Sequence, residues 1–174
     1  MTQHTWTLEK FRRSGRSHLE GARYVLNHVQ DVRPGQPMLM PLSAAYLAHV
    51  ALECIMKARL LYRNGCASTE DLQRKYPKVY AALFQGKRGH DLDFLSESLR
   101  LPELMKLEGK TWVDDDCWKR IASTERPYSL RYGAEDVEAS KVEQELQRAA
   151  EISTALLSST KTIARRRTKK RGGR

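Results

Sequence analysis

The sequence HVALECIMKARLLYRNG, residues 49–65, reads as a single helix that is apolar almost all the way round. It ends in an Asn-Gly dipeptide, a standard C-terminal stop signal, and it predicts a buried helix over about residues 42–63. His49, Glu53 and Lys57 recur within it at intervals of four residues, so they lie in one line along the helix. Charged groups on so apolar a helix need partners, because an unpaired charge is costly to bury.

Two more long helices are predicted, one on each side of this segment. Residues 6–30 fit an amphipathic helix, and the RPGQP stretch at 33–37 interrupts it because proline and glycine do not continue a helix cheaply. The last helix is predicted from about residue 134 to residue 165. Its seam recurs every three or four residues: Val142, Leu146, Ala149, Ser153, Leu156, Thr160 and Ile163.

Shorter helices are predicted between the second and the last long helix. Ser68 followed three residues later by Asp71 is a helix-capping pattern, and Pro77 predicts a kink or break soon afterwards. Another helix starts near His90. Three leucines form its inner face: Leu92, Leu95 and Leu99.

These patterns together predict an all-α protein. No stretch alternates between apolar and polar residues as a strand would, and no segment repeats. The predicted architecture is an antiparallel up-and-down helical bundle over residues 1–160, followed by a disordered basic tail over residues 161–174.

Composition excludes several classes of protein. At 174 residues, with 40% apolar and 30% charged residues, the chain is long enough for one domain with a real core. It contains no apolar run long enough to span a membrane and no secretory leader, so a cytoplasmic protein without membrane contact is expected. Three cysteines without paired spacing argue against a disulfide framework and against a zinc site. Neither a metal nor a cofactor is expected.

The net charge of +10 is concentrated at the C-terminal end. Residues 161–174 contain eight cations and no acid, and subtracting these eight from +10 leaves residues 1–160 with only +2. Such a tail either binds phosphate backbones weakly and in a salt-sensitive way or simply keeps the chain soluble. The nucleic-acid-binding candidates in it are Lys161, Arg165, Arg166, Arg167, Lys169, Lys170 and Arg171.

Three motifs in order resemble the HEPN superfamily, the higher eukaryotes and prokaryotes nucleotide-binding domains. They are the Glu-x-x-x-Lys of Glu53 and Lys57, the Gly-His-Asp-Leu at 89–92, and the Arg-Tyr-Gly at 131–133 before a final long helix. The resemblance covers roughly residues 8–160. It implies a helical up-and-down bundle that commonly forms a homodimer.

The resemblance also implies a choice of activities. Many HEPN members are metal-independent endoribonucleases of toxin–antitoxin, phage-defence or RNA-processing systems, and others are inactive scaffolds or partners of nucleotidyltransferases. Active members carry an Arg and, four to six residues later, a His late in the bundle. The His acts as acid or base at the ribose 2′-OH, and the Arg stabilises the charge of the phosphorane.

This sequence departs from that active-site pattern, because no histidine follows His90. The alternative matches all lie on the first helix: Arg23 with His28, and Arg12 or Arg13 with His18. About 1.6 such matches are expected by chance in a chain of this composition. The catalytic candidates are therefore His90, Arg23 and His28, in a position that is unusual for the family.

The line of ionisable residues on the second helix has two interpretations. Glu53 and Lys57 could form an ordinary ion pair at the edge of the bundle, since a Glu four residues before a Lys is the favoured orientation. Alternatively His49, Glu53 and Lys57 line a cleft or interface with His90 and Asp91. The partners for that cleft would come from the irregular segment before the last helix. They are Arg126, Arg131 and Tyr132, which are also candidates for nucleic-acid binding. A Glu53–Arg131 pair is the specific prediction.

Three smaller patterns also have two interpretations each. His90 with Asp91 could be a general-base pair, but Gly-His-Asp at a helix start is typical of capping by Asp91. The acids at 114–116 could bind a divalent cation or cap the next helix. Trp112 and Trp118 could stack on a base or pack inside the bundle.

The first functional hypothesis is an RNA- or nucleotide-associated binding or interaction module of a bacterial defence or toxin–antitoxin-type system. Its basic tail would hold RNA or another nucleic acid, and its partners would be a second copy and a protein encoded nearby. The alternatives are a toxin-like, metal-independent endoribonuclease with a non-standard Arg/His pair, and a docking partner of a nucleotidyltransferase.

Overall fold

The computed structural model describes residues 5–28, 39–85, 87–112, 115–123, 130 and 138–171. Within these ranges the regular elements are helical, apart from one isolated antiparallel bridge between Thr7 and Ser68. The α-helices are α1 (Leu8–Asn27), α2 (Leu39–Arg63), α3 (Thr69–Lys75), α4 (Pro77–Tyr80), α5 (Leu92–Leu99), α6 (Leu101–Leu107), α7 (Asp116–Ala122) and α8 (Ala139–Arg171). A π-helical turn (Ala81–Gln85) and a 3-10 turn (Lys87–His90) connect α4 to α5. The all-α prediction is confirmed for these residues.

Helices α1 and α2 are packed against each other along their lengths and run antiparallel, since Gly15 lies against Ile55 and Gly21 lies near Leu47. A Cβ at Gly15 would sit only 2.5 Å from a side-chain carbon of Ile55, so glycine permits this close approach. Thr7 begins α1 by accepting a hydrogen bond from the Lys10 backbone at 3.1 Å, which is ordinary N-capping.

Helix α2 is the centre of the core, as its apolar sequence predicts. Its side chains Leu52, Ile55, Met56 and Leu61 are almost completely buried. Helix α8 packs on it through the predicted seam, with the following members buried: Val142, Leu146, Ala149, Ser153 and Leu156. Two amphipathic helices thus cover one apolar helix, which is how α2 loses its contact with water.

The predicted helix signals between α2 and α8 are confirmed. Ser68 caps α3 by accepting from the Asp71 backbone at 3.1 Å, and α4 begins at Pro77, where the missing N–H costs nothing. Asp91 caps α5 by accepting from the Phe94 backbone at 2.9 Å. The three leucines of the predicted inner face of α5 are buried.

The C-terminal segment is predicted to be a disordered tail, whereas the structure describes its backbone as helical to Arg171. The predicted tail starts at residue 161, whereas the backbone of α8 continues as a helix to Arg171. Arginine, lysine and alanine are good helix formers, so the helix does not have to stop where the apolar seam stops. A disordered tail is therefore not confirmed, and the domain boundary at residue 160 stays a prediction. Among the described helices, none combines the length and the apolar content that crossing a bilayer requires.

Candidate functional site

Glu53 and Lys57 form a nearly buried ion pair on α2. The Lys57 ammonium lies 2.7 Å from a Glu53 carboxylate oxygen, and the Lys57 and Glu53 side chains are 7% and 14% exposed, respectively. A pair at the solvent edge of a bundle would be much more open. The apolar surroundings of α2 therefore make each charge depend on the other.

His90 joins this pair from the 3-10 turn before α5. Its Nδ1 lies 3.0 Å from the Glu53 carboxylate, while its side chain is 74% exposed. The carboxylate accepts this hydrogen bond, so Nδ1 carries the proton and Nε2 is the basic nitrogen of the neutral ring. A largely buried acid thus holds an imidazole at the surface in one tautomer, which is the arrangement of a positioned acid–base group.

Gly89 explains why this turn can approach the core so closely. A Cβ added at Gly89 would collide with the backbone carbonyl of Leu83 in the π-helical turn. Because glycine has no Cβ, the backbone can pass over that carbonyl and hold His90 next to Glu53.

Glu53, Lys57 and His90 form a cluster whose charge balance favours an ionised Glu53. Burial by itself would raise the pKa of the Glu53 carboxyl, but the Lys57 charge and the hydrogen bonds from Lys57 and His90 lower that pKa below its ordinary value. Lys57 also places its ammonium 5.3 Å from the centre of the Phe84 ring, a cation–π contact.

The sequence grouped His49 with these residues and Asp91 with His90, and the structure gives each of the two a structural contact. His49 is buried, and its Nδ1 donates to the Ile121 carbonyl at 2.9 Å, which ties α2 to α7. Asp91 caps α5, as the capping interpretation predicts. The group that orients His90 is Glu53.

Arg23 and His28 are not brought together as a catalytic pair. His28 is the C-cap that follows the last residue of α1, and its side-chain contacts are with Tyr24. His28 donates from Nδ1 to the Tyr24 carbonyl at 2.8 Å and stacks on the Tyr24 ring at 4.1 Å. Arg23 lines a separate groove of about 790 Å³ between α1, α7 and α8.

The predicted arginine side of the cleft lies outside the described residues, since Arg126, Arg131 and Tyr132 all fall in segments that the structure does not describe. The Glu53–Arg131 pair therefore stays a prediction; the structure gives the Glu53 carboxylate Lys57 and His90 as partners. For the basic segment 161–171 only the helical backbone is described.

Around α7, the structure shows helix capping by an acid and packing of the two tryptophans inside the bundle. Asp115 caps α7 by accepting from the Trp118 backbone at 2.9 Å, and among the described residues no group of His, Cys, Asp and Glu is arranged to hold a metal ion. Trp118 is 3% exposed, contacts Trp112 edge-on at 4.9 Å and donates to Asp93 at 3.0 Å. The pair is therefore packed in the bundle and not presented to a ligand.

Arg88 is the site residue that sequence reasoning missed. It is exposed, lies in the same turn as His90, and holds its guanidinium 4.6 Å from the centre of the Phe94 ring. The Phe94 ring restrains this guanidinium, which belongs to a residue two positions before His90. The Arg-Gly-His order at 88–90 was the available signal.

The cluster thus combines an exposed imidazole, the acid that orients it and a buried cation, and Arg88 belongs to the same turn as the imidazole. In comparisons with known proteins, no family model, no curated protein and no solved structure matches this chain. The chemistry of the cluster therefore has to be inferred from its own geometry.

Proposed function

We propose that this protein is a nucleic-acid-associated binding module of the HEPN type, acting in the cytoplasm in a bacterial defence or toxin–antitoxin-type system. The observation that carries the proposal is the charge at the end of α8. Eight of the ten excess positive charges fall within residues 161–174, while the rest of the chain is close to neutral. A charge distribution of this kind is the electrostatic footprint of phosphate binding.

The helical backbone concentrates that charge. Residues 161–171 continue α8, and at the rise of an α-helix they occupy only about 16 Å along its axis. Seven cations fall on this stretch. Each cation that neutralises a phosphate releases a condensed counterion, so binding is expected to be strong at low salt, to weaken steeply with salt and to ignore sequence.

Truncation after residue 160 tests the proposal. Binding to labelled single-stranded RNA is measured over a range of salt concentrations for the full chain, for the truncated chain and for the triple variant Arg165→Gln, Arg166→Gln and Arg167→Gln. The slope of log affinity against log salt should become shallower by about 0.7 for every phosphate that the variant no longer neutralises.

A matched control removes the same amount of charge elsewhere. Lys78, Lys106 and Lys110 are exposed lysines of the body, and changing all three to Gln should leave the slope within error of the wild type. Equal reductions of the slope in both triple variants, or undiminished binding after truncation, would show that the end of α8 is not the binding element.

A second candidate function is metal-independent RNA cleavage, and the feature that favours it is the His90–Glu53 contact. In that reaction His90 Nε2 takes the proton of a ribose 2′-OH and the 2′-oxygen attacks the adjacent phosphorus. The bond to the 5′-oxygen breaks, that oxygen takes up a proton from water, and a 2′,3′-cyclic phosphate remains. Arg88 would stabilise the extra negative charge of the phosphorane.

Incubation with labelled RNA in the presence of EDTA separates the two functions. Cleavage that survives the chelator, disappears in His90→Ala and persists in His28→Ala would establish the enzyme. No cleavage by the wild type, with RNA retained, supports the binding module. Glu53→Gln should reduce any cleavage by about 100-fold, within the range for positioned acid–base catalysis.

We also propose that the module works as a homodimer with a protein partner encoded nearby, a nucleotidyltransferase being one candidate. The resemblance to HEPN proteins supports this assembly. Light scattering should give about twice the 20.0 kDa mass of the chain at micromolar concentration, and a mass of one chain would contradict the homodimer.

A further inference from the structure

A second groove lies on α1, built from different residues than the His90 cluster. Its volume is about 600 Å³, which is within the size range of small-ligand sites. It is lined by Thr5, Trp6, Lys10, Arg13, Ser14, Ser17 and His18. The seven lining residues include an aromatic ring, cations and hydroxyl groups, and no acid.

Trp6 gives this groove an aromatic surface. Its side chain is 43% exposed, although burying a ring of this size would be favourable. The indole stacks on the Phe11 ring at 5.0 Å and 25°, and Phe11 itself is 6% exposed. One face of the indole is therefore supported by the core, while the residue also lines the open groove.

Trp6 is held in place by backbone contacts and does not hang from a loose end. The Thr69 backbone donates to the Trp6 carbonyl at 2.9 Å, and the Leu8 backbone donates to the Ala67 carbonyl at 2.9 Å. Thr7 forms the antiparallel bridge with Ser68 between these two bonds. An aromatic surface fixed in advance binds a ring with less loss of conformational freedom.

Regular helical spacing brings the polar groups to one side of α1. Lys10, Arg13 and Ser17 follow one another at steps of three and four residues, so their side chains share a face. Lys10 donates from Nζ to the Thr5 carbonyl at 3.1 Å, which holds its charge at the rim. An anionic group in the groove would meet the charges of Lys10 and Arg13 and the serine hydroxyls, while the Glu70 carboxylate accepts the hydrogen bond of the Thr5 hydroxyl at the edge of the groove.

We propose that this groove binds an unpaired nucleotide of single-stranded RNA, whose base stacks on Trp6 and whose phosphate is bound by Arg13 and Lys10. The proposal rests on the proposed nucleic-acid binding and adds a preference that the end of α8 cannot supply. Stacking on an aromatic side chain requires an exposed base face, which a duplex keeps inside its stack. The groove therefore selects single strands over duplexes.

The test measures binding of the full chain to a short unstructured oligoribonucleotide and to its duplex, at about 0.3 M salt to weaken the contribution of the basic segment. Trp6→Ala should lower the affinity for the single strand by roughly 5- to 100-fold, the range for loss of one stacked base, and leave the affinity for the duplex unchanged. Trp6→Phe keeps a ring on Phe11 and should restore most of the affinity. Tyr24→Ala is the matched control, since Tyr24 is a 66% exposed aromatic residue on α1 outside the groove.

Tryptophan fluorescence provides a direct readout of the same contact. Trp112 and Trp118 pack against each other, so quenching by the oligoribonucleotide should be lost in Trp6→Phe and kept in Arg13→Gln at saturating RNA. Adenosine monophosphate is the second ligand. Equal quenching by the mononucleotide, without preference for the RNA strand, would overturn the proposal in favour of a free nucleotide.

The two proposals fail in different ways. The groove proposal is wrong if Trp6→Ala lowers the affinities for the single strand and the duplex equally, or lowers neither of them. If truncation after residue 160 still abolishes binding in that case, the proposed function stands. If the wild type retains no RNA at any salt concentration, the proposed function itself is wrong.

Discussion

Changing Glu53 to glutamine should lower the free energy of unfolding by about 3 kcal/mol, because it leaves the Lys57 charge buried without its counter-charge. Lys57 is only 7% exposed in its side chain, and its ammonium lies 2.7 Å from the carboxylate that the substitution neutralises. Glutamine has nearly the same shape as glutamate, so the substitution tests charge and not packing.

The size of the effect follows from where the pair lies. Removing one member of a buried pair typically costs about 3–5 kcal/mol, whereas a fully exposed pair contributes about 0–1 kcal/mol. Glu53 is 14% exposed and glutamine keeps one oxygen that can accept from Lys57, so the lower end, about 3 kcal/mol, is expected. For a chain of this length that corresponds to a fall in Tm of about 6–12 °C.

Urea-induced unfolding followed by circular dichroism measures this loss of stability. The second variant, Glu53→Gln with Lys57→Met, removes the stranded charge and offers the Phe84 ring a flexible apolar partner. It should recover to within about 1 kcal/mol of the wild type, since a buried pair is often replaceable by apolar residues. A destabilisation under about 1 kcal/mol in the single variant, or a double variant less stable than the single one, would refute the reasoning.

Three further outcomes are expected, each measured by urea unfolding. The pKa of Glu53 is lowered in the folded chain, so the ionised carboxylate stabilises the fold at pH values above the ordinary pKa of 4.5. This stabilisation is lost as the pH falls below 4.5. The difference in unfolding free energy between the wild type and Glu53→Gln should therefore be constant near neutral pH and disappear below about pH 4.5. Gly15→Ala places a Cβ 2.5 Å from an α2 side-chain carbon and should lower the free energy of unfolding by about 1–3 kcal/mol. Gly21→Ala meets only ordinary contact at 3.7 Å and should raise the free energy of unfolding by about 0.5–1 kcal/mol. Higher stability in both variants would show that the two helices do not approach so closely. Gly89→Ala collides with the Leu83 carbonyl and should cost about 1–3 kcal/mol, and unchanged stability would contradict that contact.

Local signals made the helices predictable from the sequence. Ser68, Asp91 and Asp115 each accept a backbone hydrogen bond from the residue three positions later, and this depends on a few neighbouring residues alone. The apolar content of α2 likewise required burial whatever covered it. Residues 81–90 were less predictable, because a π-helical and a 3-10 turn have no comparable sequence signature.

The partners of the charged residues depend on contacts that sequence spacing does not reveal. Glu53 and His90 are 37 residues apart, and they meet because a glycine lets the intervening turn lie on the core. The sequence shows that the α2 charges need partners and offers several cations. That His90 is one of these partners depends on the path of the chain, which pattern alone does not provide.

The position of Trp6 also could not be predicted from the sequence. Periodicity assigns it to the first helix, whereas backbone hydrogen bonds to the segment before α3 hold it outside the helix. An exposed tryptophan cannot be told from a buried one by its neighbours in the sequence. Its exposure follows from the antiparallel bridge, a contact between segments about 60 residues apart.

Burial of the ionised Glu53 carboxylate makes the fold depend on Lys57, and the same carboxylate orients the His90 imidazole. Lys57 lowers the pKa of the Glu53 carboxyl, and an ionised carboxylate can only accept, which fixes the His90 proton on Nδ1 and leaves Nε2 basic. An apolar replacement of the Glu53–Lys57 pair should therefore be stable yet lose the orientation of the imidazole. If RNA binding or cleavage responds to that double replacement while stability does not, the cluster serves function. If stability falls while RNA binding and cleavage are unchanged, the cluster serves only to attach the 3-10 turn to α2.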